Sequence, residues 1–316
     1  MTARILVTRQ LPAGGLDPLR AAGVEIVQRP DDAPFTSDEL LAAVVGVDAL
    51  VCVLTDHVDA AVLEAGAGTL RAVGNVAVGY DNVDVRAATD LGIAVCNTPG
   101  VLDQTTADLA FLLLLAAARR SSDAEADLRR GRWTGFRMDN FLGTDVHGCT
   151  LGLVGYGRIA REVARRATGF DMDVLHHTRH DTGVAGWVAD LDDLLARSDA
   201  VSLHVPLTPE TVGLIDARRL ALLGPHAVLV NTARGPVVDE GALADALERG
   251  AIFGAGIDVY EREPEVHPRL LAASHAVLLP HVGSATEQTR RRMSQLACEG
   301  VLAVLAGDAP VNLVTL

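Results

Sequence analysis

The sequence contains no lysine; all 27 of its basic residues are arginine. That excludes lysine Schiff-base chemistry, pyridoxal phosphate enzymes included, and any lysine-bearing P-loop. Cysteine is also scarce. Cys52, Cys96, Cys149 and Cys298 lie far apart with no CxxC, so no zinc or thiol-redox motif is present and structural thiols are the default reading. Positive charge is outnumbered. With 41 acidic residues the net charge is −14, which argues against a nucleic-acid or anionic-membrane partner. Long apolar runs are missing: the longest, 109–118, is too short to span a bilayer. Residues 1–7 are strand-like with no long apolar stretch behind them, so no signal peptide is read and a reducing cytoplasm is expected. His176 and His177 are neighbours on a strand and face opposite ways, no HExxH occurs, and no metal is expected.

What remains is an ordinary globular composition. The chain has 316 residues, 49% of them apolar, and at ~150 residues per domain this suggests two domains, each able to bury a core without staples. Short β-branched runs at 4–8, 25–28, 49–54, 72–75 and 94–96 alternate with helical stretches. Such alternation predicts βαβ units and a parallel sheet, and the near-continuous apolar strands predict helices on both faces. The pattern then restarts with six runs, at 151–154, 173–176, 200–204, 227–231, 254–259 and 276–279, as in a full doubly wound sheet. Two long helices, 105–119 and 284–306, stand outside both series; Leu109, Leu112, Leu113 and Ala116 recur at helical spacing in the first. The second carries the chain back to the first domain, and 308–316 is extended. The expected division is therefore a discontinuous domain, 1–99 plus 285–316, and an inserted dinucleotide-binding domain, 100–284.

After the run 151–154 comes Gly155-Tyr156-Gly157-Arg158-Ile159-Ala160, leading into a helix. Gly155 permits a tight turn, Gly157 allows close approach of a pyrophosphate, and Ala160 stands at the helix–strand contact. The helix N-terminus offers free N–H groups and a positive dipole end. Strand before and helix after make this dinucleotide signal strong. The second strand of this series ends in Thr178-Arg179-His180, with no carboxylate placed for a ribose 2′-OH. Thr178 and Arg179 can instead hold a 2′-phosphate, so NADP(H) is expected to be preferred, with NAD(H) possible.

Three residues follow the ends of late strands: Arg234, Glu263 and His281. Ligands bind outside the carboxyl ends of strands in open α/β sheets, so the three can converge. A guanidinium clamps a carboxylate or polarises a carbonyl, an imidazole passes a proton near neutral pH, and a carboxylate bonded to it favours its protonated form. Taken singly each is ordinary; three at successive strand ends below a dinucleotide loop point to catalysis.

With these residues in place, the chain resembles the D-isomer-specific 2-hydroxyacid dehydrogenases, and within them the glyoxylate/hydroxypyruvate reductase branch. The resemblance runs through Val78-Gly79-Tyr80-Asp81-Asn82-Val83-Asp84, Asn97-Thr98-Pro99-Gly100-Val101-Leu102, Thr106-Ala107-Asp108, the glycine loop, His204-Val205-Pro206-Leu207-Thr208, the stretch 231–240, and the ends at 258–264 and 280–286. It implies two flavodoxin/Rossmann-like domains with a cleft between them, hinges near residues 99 and 284, and a homodimer joined through 105–119 and the Arg-rich 119–137. It implies that Arg234 binds the substrate's carboxylate and carbonyl oxygen, that His281 is the general acid/base and that Glu263 supports it. The amides of Val78 and Gly79 would hold the carboxylate, and Leu54, Thr55, Leu102 and Asp103 would tune substrate choice. On the cofactor side it implies Thr106, Gly155, Gly157, Arg158, Ile159, Val205, Pro206, Thr232, Ala233, Asp258, His281 and Gly283. The implied activity is NAD(P)H-dependent reduction of small 2-oxo acids to D-2-hydroxy acids. A non-catalytic dinucleotide-sensing dimer and a same-fold enzyme acting on formate or phosphite are the alternatives.

Overall fold

The computed structural model describes residues 2–315; Met1, at the head of the strand-like start, and Leu316, the last residue of the extended terminal segment, lie outside them. The chain forms two compact units, Met1–Leu102 with Ser284–Leu316, and Asp103–Gly283. Both are parallel α/β structures, the class expected from the alternation of strand and helix patterns.

The first unit runs β1 Arg4–Val7, α1 Asp17–Ala21, β2 Glu25–Gln28, α2 Ser37–Ala43, β3 Ala49–Cys52, α3 Ala60–Ala65, β4 Ala72–Asn75, α4 Val85–Asp90 and β5 Ala94–Cys96. The strands pair in the order β2-β1-β3-β4-β5, all parallel. Helices start where short polar side chains precede apolar spacing. Thr36 and Glu39 form a capping box on α2, and Asp59 and Asp84 cap α3 and α4. Leu40, Val44, Val62, Leu63 and Ala88 from these helices meet Leu6, Leu50, Val73 and Val95 of the sheet.

The second unit begins with α5 Asp103–Ala118 and α6 Ser121–Arg129, then β6 Thr150–Val154, α7 Arg158–Ala167, β7 Asp173–His177, α8 Leu191–Ala196, β8 Ala200–Leu203, α9 Ala217–Leu220, β9 Val228–Asn231, α10 Glu240–Glu248, β10 Gly254–Ile257, α11 Pro268–Ala272 and β11 Ala276–Leu278. Its six parallel strands follow the order β11-β10-β9-β8-β6-β7. The strands are apolar on both sides because each face is covered. Leu229 and Ile257 join the core made with α8, α9 and α10, while Leu151, Leu153, Val228 and Val230 join the one made with α5 and α7.

The chain then returns to the first unit through α12 Glu287–Ala306, which packs on β3, β4 and β5. Both long helices differ from expectation at their starts. α12 begins three residues later than 284, because the Thr286 side chain accepts the N–H of Thr289 and fixes the cap there. α5 begins two residues earlier than 105, so Asp103 and Gln104 form its first turn. The Gln104 side chain is held by Arg165 and Arg166 of α7. α5 is also not one-sided: Ala107, Ala110, Phe111, Leu113, Leu114 and Ala117 are buried, whereas Leu112, on the spacing read from sequence, is 54% exposed. Among the described residues no helix is long and apolar enough to cross a membrane.

Candidate active site

In the second unit the strand order reverses between β6 and β8, and the glycine loop lies at that switch point. Gly155 leaves β6 with φ +87°, and a Cβ there would sit 2.7 Å from the His204 carbonyl oxygen. Glycine therefore satisfies both the left-handed backbone and the close approach of the two strand ends. Gly157 is the N-cap of α7 and provides no side-chain cap. A Cβ there would meet nothing within 4 Å. The first N–H groups of α7, from Arg158, Ile159 and Ala160, have no acceptor within the helix, and the positive end of the helix dipole lies behind them. Between the glycines, the Tyr156 ring stacks on His176 of β7 at 3.9 Å, and His176 Nε2 is in turn bonded to Thr182 Oγ1 at 2.8 Å. His176 is thereby a structural anchor of the loop.

At the end of β7, Arg179 is exposed and Thr178 half-buried. The Thr178 hydroxyl donates to the His180 carbonyl at 2.6 Å, and Asp181 Oδ1 accepts from Gly183 N at 2.8 Å. No carboxylate stands at the strand end itself. Glu210 lies in the loop after β8; its carboxyl is held below the usual value by the Thr208 hydroxyl, by its own N–H and, less strongly, by the charge of Arg179. His204, Val205 and Pro206 open that loop. His204 Nε2 is bonded to Ser202 Oγ at 2.9 Å, and burial pushes the imidazole down to about 4, so it is neutral at pH 7.

The ends of β9, β10 and β11 bring the three chemical residues together. Asn231 ties its own turn: Oδ1 accepts from Ala233 N at 3.0 Å and Nδ2 donates to Arg234 O at 2.9 Å. Arg234 Nη1 donates to Ala233 O at 2.9 Å. A Cβ on Gly235 would lie 1.8 Å from the Tyr260 carbonyl carbon, so glycine seats this turn directly on the backbone at 260–261. Glu263 Oε2 is 2.8 Å from His281 Nδ1, and Glu263 Oε1 accepts from Tyr260 N at 3.1 Å. Burial pushes the Glu263 carboxyl up, but the hydrogen bond and charge of His281, the Tyr260 N–H and the charge of Arg234 outweigh it and hold the carboxyl below its usual value.

His281 itself is fixed from behind. It adopts φ 52°, a left-handed conformation unfavourable for a residue with a Cβ, and its N–H donates to Asp258 O at 2.8 Å. The Asp258 carboxylate, 1% exposed, accepts from Val282 N and Gly283 N at 2.8 Å each. Burial pushes its carboxyl above the usual value against these N–H groups. Thr106 Oγ1 of α5 donates to Gly283 O at 3.3 Å and closes the same loop. A strained residue held this firmly is the pattern expected of a functional position. Thr232 Oγ1 is buried with no hydrogen-bond partner. The uncapped helix, the open space at Gly157 and this orphaned hydroxyl all fit a dinucleotide, whose polar atoms would satisfy them.

Residues 111–283 match the family model of the D-isomer specific 2-hydroxyacid dehydrogenase NAD binding domain. The chain belongs to the D-isomer-specific 2-hydroxyacid dehydrogenase family. It is 46% identical to a glyoxylate reductase of Korarchaeum cryptofilum, over 99% of this chain and 96% of the relative. Among solved structures, the TT0316 protein from Thermus thermophilus superposes with a TM-score of 0.93 at 45% identity, covering 99% of this chain and 100% of that one. An NADPH-dependent glyoxylate/hydroxypyruvate reductase from Sinorhizobium meliloti, solved with NADP and malonate, gives 0.87 at 36% identity, covering 100% and 97%.

Seen as a member of this family, the chain carries one site residue that sequence reasoning gave no role. Glu240, in the first turn of α10, is only 6% exposed. Its Oε1 accepts from Glu261 N and its Oε2 from His267 N, while its own N–H donates to Glu261 Oε1. It clasps both sides of the loop that carries Glu263. An acid in a first helical turn reads in sequence as a dipole partner, and no local signal marks it as buried.

Proposed function

We propose that this chain reduces small 2-oxo acids of the glyoxylate and hydroxypyruvate kind to D-2-hydroxy acids, with NADPH as the preferred reductant. The observation that carries the reading is the Glu263–His281 hydrogen bond of 2.8 Å, at strand ends beside Arg234 and in the same unit as the open glycine loop. The names of the similar reductases from Korarchaeum and Sinorhizobium support the substrate class. Arg234 binds the carboxylate and carbonyl oxygen of the substrate, and the Val78 and Gly79 amides of the first unit take the carboxylate. With Nδ1 engaged by Glu263, His281 gives its proton to the carbonyl oxygen from Nε2, and the Glu263 charge stabilises the imidazolium until then. When bound, the nicotinamide supplies the hydride to the carbonyl carbon. Arg158 and Ile159 N–H groups hold its pyrophosphate, Val205, Pro206, Thr232, Ala233 and Gly283 border the dinucleotide, and Leu54 borders the substrate.

NADPH is preferred because the end of β7 offers Arg179 and no acid to receive a ribose 2′-OH. Glu210, within the field of Arg179, moderates the preference. A homodimer is the assembly. Leu112, Leu128, Trp133, Phe136, Met138 and Leu142 expose 54–83% of their surface along one stretch of the second unit, more apolar surface than scattered residues account for. The four unpaired cysteines suit a reducing cytoplasm. The test is oxidation of NADPH and of NADH by the purified protein against glyoxylate, hydroxypyruvate and larger 2-oxo acids, with formate and phosphite in the oxidative direction. Turnover on 2-oxo acids, faster with NADPH, is expected. Turnover on formate or phosphite alone selects that alternative, and dinucleotide binding without turnover selects the sensor.

A further inference from the structure

The loop that follows β4 has its carbonyl groups tied into the first unit one after another. Thr98 N donates to Ala77 O at 2.9 Å, Asn97 Nδ2 to Val78 O at 2.7 Å, and Asn75 Nδ2 to Gly79 O at 3.0 Å. Among the described residues of the unit, none of the N–H groups of Val78, Gly79 and Tyr80 has an acceptor. Peptide planarity links the two facts. In a trans peptide a carbonyl and the N–H of the next residue point in opposite directions. Pinning Ala77 O inward therefore turns Val78 N–H outward, pinning Val78 O turns Gly79 N–H outward, and pinning Gly79 O turns Tyr80 N–H outward. Three successive N–H groups without acceptors are left available to an anion.

The pinning side chains are themselves over-determined. Asn75 is 0% exposed at the end of β4. Its Oδ1 accepts from Asn82 Nδ2 and its Nδ2 also donates to Asn82 Oδ1, which fixes which end of the amide faces Gly79. Asn82 Nδ2 reaches on to Val53 O and Asp56 O, anchoring the loop after β3. Asn97 sits at the end of β5, where its N–H donates to Asn312 O and its carbonyl accepts from Asn312 Nδ2 at 2.7 Å. Asn312, 3% exposed, also donates to Leu296 O of α12. Buried amides are costly where a group goes unsatisfied, as the buried Asn312 Oδ1 does, and the outcome here is a loop whose carbonyls are held while its N–H groups are not.

We infer that Asn97, braced by Asn312, and Asn75 are positioning residues that aim the Gly79 and Tyr80 amides, beside that of Val78, at the carboxylate of the 2-oxo acid. The inference deepens the reading of Val78 and Gly79 given under Proposed function and rests on it. These asparagines touch the loop's carbonyls and act through its amides.

The test compares glyoxylate with methyl glyoxylate, the same reactive carbonyl without the charge, in the holoenzyme and in Asn97→Ala and Asn75→Ala. Asn97→Ser, which keeps a small polar group but cannot reach Val78 O, serves as the milder variant should the alanines fold poorly. Losing aim on one charge-assisted bond in each variant should raise KM for glyoxylate ~10-fold, with kcat changed much less. The ester should lose less than a factor of about two, because it makes no comparable demand on the amides. The dissociation constant of NADPH, measured without substrate, should not move. Equal losses on acid and ester, a loss confined to kcat, or unchanged KM would overturn the role of the asparagines. A wild type that handles acid and ester alike would remove the carboxylate from this loop, and a wild type that reduces neither would remove the proposed reaction itself.

Discussion

The two units share a topology and differ at the point where that topology invites a ligand. The second reverses its strand order between β6 and β8, the first between β1 and β3. In the second unit the crevice holds Gly155 and Gly157, and α7 begins without a cap. In the first unit the matching position after β1 is Thr8, 1% exposed, whose hydroxyl donates to Asp56 Oδ2 at 2.5 Å. Asp56, also buried, accepts from Val53 N at 2.8 Å as well. The next residue, Arg9, forks onto Asp32 beyond β2 with two bonds of 3.0 Å. Gly15, ahead of α1, is filled by Ser294, which a Cβ would approach to 2.9 Å. A sheet order supplies a crevice; side chains decide whether it stays open. The first unit has closed its switch point with a polar plug and presents unsatisfied amides from the loop after β4 instead.

Breaking the open side should have the largest consequences. His281→Ala should reduce turnover ~10²–10⁴-fold while the dissociation constant of NADPH stays close to wild type, because a general acid is lost and no dinucleotide contact of the glycine loop is touched. Steady-state rates together with fluorescence titration of NADPH separate the two. Gly157→Val closes the open crevice as the first unit's is closed. It should weaken NADPH ~10–100-fold, the loss of one or two charge-assisted bonds, without lowering the melting temperature. Wild-type affinity in this variant would place the pyrophosphate elsewhere.

Breaking the closed side should do the reverse. Thr8→Val removes one of the two donors to the buried Asp56 Oδ2, leaving Val53 N alone, and should cost ~1–3 kcal/mol of stability, read in urea melts, with NADPH affinity unchanged. The 2′ end gives a smaller effect. Arg179→Ala should weaken NADPH ~10-fold and leave NADH nearly as it was, an exposed charge-assisted bond being worth about that much after screening. Glu210→Gln should favour NADPH by less than Arg179→Ala disfavours it. The smallest change concerns pH. Glu263, held ionised below its usual range, stabilises a protonated His281. Reductase activity needs that proton, so it falls as pH rises, and in Glu263→Gln the fall should begin at lower pH. An unmoved limb in the kcat/KM profile would detach Glu263 from the proton donor.

The sequence made the open crevice readable because glycines at fixed spacing between a strand and a helix have a local cause. The strand-end residues Arg234, Glu263 and His281 were readable because parallel strands put their carboxyl ends on one side. The alternation of apolar runs likewise gave the two sheets. The plug in the first unit was not readable. Thr8 and Asp56 are 48 positions apart, and each alone is an ordinary polar loop residue. Glu240 and the asparagines at 75, 97 and 312 share that property: their meaning lies in backbone groups brought near by pairing of distant strands. The helix starts were missed by a few residues for a related reason, since Thr286 caps α12 and arginines of α7 hold Gln104 at the first turn of α5.

Hydrogen exchange with and without saturating NADPH compares the two switch points in one experiment. Dinucleotide binding should slow exchange at the first turn of α7, around Arg158, Ile159 and Ala160, and leave the stretch from Thr8 to Leu16 at its unliganded rates. Protection appearing at Thr8–Leu16, or failing to appear at the start of α7, would contradict the claim that the second unit alone keeps its crevice open for the cofactor.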